Sequence, residues 1–71
     1  MEQLSKEKQR LANCLIEAKI NNIISNEVFE LIMLENFELK EIILIAETLK
    51  NAIIETLGNE KYNEIVNKQY N

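Results

Sequence analysis

Histidine, proline and tryptophan are missing from this 71-residue chain, and cysteine and glycine occur once each. All twelve acidic residues are glutamate, so aspartate is missing as well. Each absence closes off some chemistry. Without histidine or aspartate, neither a Ser-His-Asp nor a Cys-His arrangement can be assembled, and the chain is expected not to be an enzyme. A structural zinc site needs four nitrogen or sulfur ligands, which one thiol cannot supply. Carboxylate di-metal sites in helical bundles draw on Glu-x-x-His pairs. The i, i+3 series Glu27/Glu30 and Glu35/Glu38/Glu41 therefore reads as solvated helix face, and no cofactor or metal is expected. A single glycine rules out a phosphate-cradling glycine loop.

The lone cysteine, Cys14, cannot form an intrachain disulfide. The N-terminus, Met1-Glu2-Gln3-Leu4-Ser5-Lys6, has no apolar signal segment. Together they point to a reducing, cytoplasmic setting. Long apolar runs are also lacking. The longest, Ile42-Ile43-Leu44-Ile45-Ala46, is far short of the roughly 20 residues that span a bilayer, so no membrane association is expected.

What remains is helix-forming material. Isoleucine, leucine, glutamate, lysine and asparagine dominate, and neither proline nor glycine interrupts residues 1–57. Glutamate is a good helix former and aspartate a poor one. The expected fold is all-α: a single domain over 1–71, a small bundle of three to four helices at about 4–22, 27–35, 37–57 and 60–69, completed by oligomerisation. Asn21-Asn22 and Ser25-Asn26 mark a break, with Ser25 or Asn26 as N-cap and Glu27 in the first turn, where the helix dipole favours an anion. Asn36 is the next candidate cap, at a short kink. Gly58 fits the left-handed position that ends many helices, and Asn59 then caps a short fourth helix carrying Tyr62, Val66 and Tyr70 at i, i+4, i+8.

Helical periodicity sorts the apolar residues. On helix 1, Leu4, Leu11, Cys14, Leu15 and Ala18 form one stripe. Cys14 on that stripe is read as a small packing residue. Ala12, Ile16, Ile20 and Ile23 form a second stripe about a third of a turn away. On helix 3, Leu39, Ile42, Ile43, Ala46, Leu49, Ile53 and Leu57 share a broad face, with Leu44 near the opposite side. Leu11, Leu15, Phe29, Ile32, Ile42, Ala46, Leu49 and Ile53 are the expected core. Apolar faces wider than the ~100° stripe of an ordinary surface helix call for a partner. At this length a lone core rarely supplies more than about 3–5 kcal/mol of net stability. Ile16, Ile20, Ile23 and Leu44 are accordingly expected to meet a second copy of the chain, most simply in a twofold dimer.

Charge is uneven. The chain carries a net −4, and residues 21–60 hold eight glutamates against Lys40 and Lys50. Lys6, Lys8 and Arg10 form a small basic cluster with Glu7 inside it, a candidate anion contact. A net-negative chain is poorly suited to a phosphate backbone, whose attraction dominates nucleic-acid affinity, and the turn between helices 2 and 3 has no helix-turn-helix glycine. Nucleic acid is thus not the expected partner. The acidic middle, including Glu35, Glu38 and Glu41, suits a basic protein surface. The asparagine, isoleucine and lysine bias fits an A+T-rich bacterial or phage genome.

The leading functional expectation is a non-enzymatic protein–protein interaction module, a small regulatory or inhibitory accessory protein acting as a homo-oligomer. One alternative is an oligomer that sequesters an anionic nucleotide with Lys6, Lys8, Arg10, Lys61 and Lys68, stacking on Tyr62 or Tyr70. The other is a DNA-binding transcriptional regulator.

Overall fold

The computed structural model describes residues 2–68, with side chains from Leu4 through Lys68. Among these residues it is all-helical: α1 spans Glu2–Ile20, α2 Asn26–Leu34, α3 Leu39–Leu57 and α4 Asn59–Val66. The helices form a small bundle with a Cα radius of gyration of 11.4 Å, matching the ~11 Å of a compact chain this long.

Helix α1 stops two residues earlier than its apolar pattern suggests, and the stop is a backbone event. Asn22 turns left-handed (φ 59°). Its N–H bonds to Lys19 O at 3.1 Å, and the N–H of Ile23 reaches back to Ala18 O at 2.8 Å. This pair of bonds is a Schellman motif with asparagine in the position usually held by glycine. Ile23 follows the turn and packs against the core. It leaves the Ala12/Ile16/Ile20 stripe because the helix no longer continues at its position.

Ser25 caps α2, its Oγ accepting from Val28 N at 3.1 Å. After Leu34 residues 35–38 are non-helical, with extended backbone at Glu35 (ψ 149°) and Glu38 (ψ 161°), a full break in place of the expected short kink. The cap of α3 is Glu38, not Asn36. The Glu38 N–H donates to Glu41 Oε1 at 2.9 Å in a capping-box arrangement. Gly58 both ends α3 and starts α4, at φ 95° and ψ 162°. This is a glycine-only region, though not the left-handed helical one expected. The Gly58 N–H closes α3 on Ile54 O at 2.9 Å. Asn59 is then the first residue of α4 and not its cap.

The core is built mainly where α1 meets α3. Leu11, Cys14, Leu15 and Ala18 of α1 pack with Ile42, Ala46, Leu49 and Ile53 of α3, and Tyr62 and Ile65 of α4 close one end. Six of the eight expected core residues are buried. Phe29 and Ile32 are only partly so, because α2 packs against α1 alone and buries none of its residues fully.

Candidate functional site

Three surfaces stand out: a polar seam between α1 and α4, the charged N-terminal half of α1, and the exposed side of α2.

The seam arises from Arg10, Asn13 and Glu17, which share one side of α1 at i, i+3, i+7. Asn13 is fully buried. Its amide donates to Ile65 O at 3.1 Å and Lys68 O at 3.0 Å, and its Oδ1 accepts from Gln9 Nε2 at 2.8 Å. The Ile65 carbonyl is in the last turn of α4, where it also accepts the Lys68 N–H at 3.2 Å, and the Lys68 carbonyl lies beyond the helix. Asn13 therefore fastens the end of α4 to α1, and α4 stops at Val66, short of the expected 69. Glu17, also buried, receives Lys68 Nζ at 2.9 Å. Arg10 pairs with Glu7 at 2.9 Å and donates to Tyr62 Oη at 3.4 Å, with Glu47 at 3.9 Å. Burial works against its charge, but the Tyr62 hydrogen bond and the two carboxylates outweigh that and hold its pKa above the ordinary arginine value.

The seam divides the expected basic cluster. Lys6 and Lys8 are exposed, whereas Arg10 is half-buried and engaged within the chain. Tyr62 is buried, its ring 5.6 Å from Lys50 Nζ, so neither face offers an open stacking platform. Lys61 is half-buried, Lys68 is held by Glu17, and Tyr70 lies outside the described residues.

Cys14 is buried in the core, and desolvation pushes its thiol up to about 11, with Glu47 adding to the rise and Arg10 opposing it. A thiol held protonated in this way is a packing group and a poor nucleophile. Among the described residues no three His, Cys, Asp or Glu side chains are placed to share a metal ion, and no helix is long and apolar enough to cross a membrane.

The third surface is the most distinctive. Val28, Leu31, Met33 and Leu34 of α2 are all exposed, from 40% for Val28 to 85% for Leu34. Ile20 and Leu44 are exposed as well, Ile16 is half-buried, and Ile23, also half-buried, packs against the chain's own core. Of the four residues assigned to an oligomer interface, Ile20 and Leu44 are thus fully available and Ile16 partly. Around the apolar residues of α2 stand Glu27, Glu30 and Glu35, with Glu38 just beyond, all exposed. Among the described residues none of these four is in an ion pair with a cation. Of the expected acidic contact set, Glu38 and Glu41 cap α3, while Glu35 remains at the open end of α2.

A cleft of about 240 Å³ opens beside that end, between α1 and the 35–38 connection. Leu11, Leu15, Ile32, Met33 and Phe37 line it, with Lys8 and Glu35 at its rim. Its volume falls below the roughly 300–1,000 Å³ of small-molecule sites.

Two features were not singled out in the sequence. The polar i, i+3, i+7 row on α1 carried a signal, since Arg10, Asn13 and Glu17 recur on one helical side, but solvated rows look the same. The exposure of α2 had a clearer signal. A nine-residue helix apolar on most of its circumference cannot turn every side inward.

The chain matches no known protein family, no curated protein and no solved structure.

Proposed function

We propose that this chain is a non-enzymatic interaction module, a small helical accessory protein that works by holding other polypeptides and that itself forms a homo-oligomer. The observation carrying this reading is the exposure of Ile20, Val28, Leu31, Met33, Leu34 and Leu44 on so small a bundle. Large exposed apolar patches on soluble domains mark interaction sites. Covering a leucine or isoleucine side chain fully stabilises by about 1.5–3 kcal/mol, so covering two of them already matches the roughly 3–5 kcal/mol net stability of a core this size.

Self-association is assigned to α1 and α3. Ile16 and Ile20 lie on the side of α1 away from its buried stripe, and Leu44 lies opposite the buried face of α3. A twofold pairing of α1 with its own copy would cover the isoleucines twice over. Sedimentation of the wild type and of an Ile16→Glu, Ile20→Glu variant at micromolar concentration tests this. The expected result is a dimer that dissociates in the variant, where four carboxylates would meet in an apolar seam. A monomeric wild type, or an unchanged oligomer in the variant, refutes it.

A further inference from the structure

Helix α2 combines two properties that together define a partner. Its exposed side carries Val28, Leu31 and Leu34 at i, i+3, i+6, an apolar ridge along a nine-residue helix about 13 Å long. The charged residues of α2 itself and of the connection that follows it are all carboxylates, and the cation nearest its C-terminal end is Lys8 of α1, across the cleft. The carboxylates are Glu27, Glu30, Glu35 and Glu38, and the sequence has no lysine or arginine between Lys19 and Lys40. Lys19 is turned to the inner side of α2, its Nζ 4.6 Å from the centre of the Phe29 ring.

We infer that α2 is a docking ridge for a basic amphipathic helix: a polypeptide segment with an apolar stripe flanked by lysine or arginine. This rests on the interaction-module reading and assigns the target-binding surface within it. The apolar ridge calls for cover, and the charge selects the cover. A second copy laid on the same ridge would set carboxylates against carboxylates, and like charges across an interface are disfavoured. Nucleic acid and anionic membranes fail for the same reason. A neutral apolar surface would strip water from the carboxylates without pairing them. A helix whose apolar residues recur at i, i+3, i+4 and i+7 lays a matching stripe along α2, and its cations reach Glu30 beside the ridge and Glu27 and Glu35 at its two ends. The cleft beside Met33 at the C-terminal end of α2 has room for one or two large apolar side chains from such a helix.

Isothermal titration calorimetry with three synthetic helical peptides tests this on the full chain. The first has leucines at i, i+3, i+4 and i+7 with lysines elsewhere. The second keeps the leucines and replaces lysine with glutamate. The third keeps the lysines and replaces leucine with serine. The lysine–leucine peptide is expected to bind, and the other two to bind at least tenfold more weakly. A Leu31→Ser, Leu34→Ser variant, altered only at exposed positions, should lose at least tenfold in affinity while melting like the wild type. A Glu27→Gln, Glu30→Gln, Glu35→Gln variant should lose several-fold together with the salt dependence of binding. Equal binding of the lysine–leucine and glutamate–leucine peptides overturns the inference, as does unchanged affinity in the serine variant or no binding by any peptide. If the serine variant becomes monomeric where the wild type is oligomeric, the ridge belongs to a second copy and the inference is likewise overturned. Should the serine variant fail to fold, the glutamine variant and the peptide comparison still decide. The Ile16→Glu, Ile20→Glu sedimentation result does not depend on these outcomes, so loss of the docking ridge and loss of the self-association reading can be told apart.

Discussion

Replacing Asn13 with alanine tests the polar seam most directly. The wild-type amide sits at zero exposure and donates two hydrogen bonds to backbone carbonyls 52 and 55 residues away. Removing it takes one donor from the Ile65 carbonyl, which keeps the Lys68 N–H at 3.2 Å, and leaves the Lys68 carbonyl to turn to water, so each lost bond costs about 0.5–1.5 kcal/mol. The expected destabilisation is about 1–3 kcal/mol, or roughly 5–25 °C in melting temperature for a domain this small. Circular dichroism melts of wild type and Asn13→Ala measure it, and hydrogen exchange should show lost protection first in 62–68. An Asn13→Asp variant separates donation from packing. The carboxylate nearly matches the amide in size but has no N–H to offer and turns an oxygen toward two carbonyls, so at neutral pH it should be less stable than alanine. An alanine variant melting within about 2 °C of wild type would refute the reasoning, since it would put the cost below ~0.5 kcal/mol. An aspartate variant as stable as wild type would do the same.

Two further outcomes follow from the core. Leu49→Ala or Ile53→Ala should cost about 2–5 kcal/mol by chemical denaturation, because both side chains lie in the α1–α3 contact; wild-type stability would mean that α3 presents another face. Cys14 should resist alkylation at pH 8 in the folded protein and react freely in denaturant. Because its folded pKa is raised to about 11 from an ordinary 9.0, the unfolded thiol ionises first. Stability should be unaffected by this group below about pH 9 and fall between about pH 9 and 11. A Cys14→Ala variant should show a shallower decline over that window, and identical pH profiles would contradict the assignment.

Much of the fold is legible in the residues because helix formation and burial are local, periodic decisions. A chain without proline, with its single glycine at position 58, has few places to stop. The 3.6-residue recurrence of Ile42, Ala46, Leu49 and Ile53 chose the inner side of α3 before any neighbour was known, and Leu11, Leu15 and Cys14 did the same on α1. Ser25 and Gly58 punctuate the chain for reasons of hydrogen bonding and backbone freedom that belong to those residues alone. The surplus of apolar surface is legible as well, since the periodic apolar residues cover more of each helix than one buried face can take.

Tertiary structure decided which apolar surplus stays outside. Sequence periodicity placed Ile23 with Ile16 and Ile20, but a left-handed Asn22 ends the helix and folds Ile23 onto the core. Phe29 and Ile32 look as core-like as Leu49, yet α2 meets only α1 and leaves its outer side bare. Asn13 and Glu17 resemble any solvated polar row until the end of α4 arrives from more than fifty residues away with the carbonyls of Ile65 and Lys68 and the Lys68 ammonium. Arg10 leaves the basic cluster through the same encounter. In each case the deciding partner is distant in sequence. A pattern of single residues records which groups avoid water, while the matching of a buried donor to an acceptor, or of one helix to another, exists only once the chain has closed on itself.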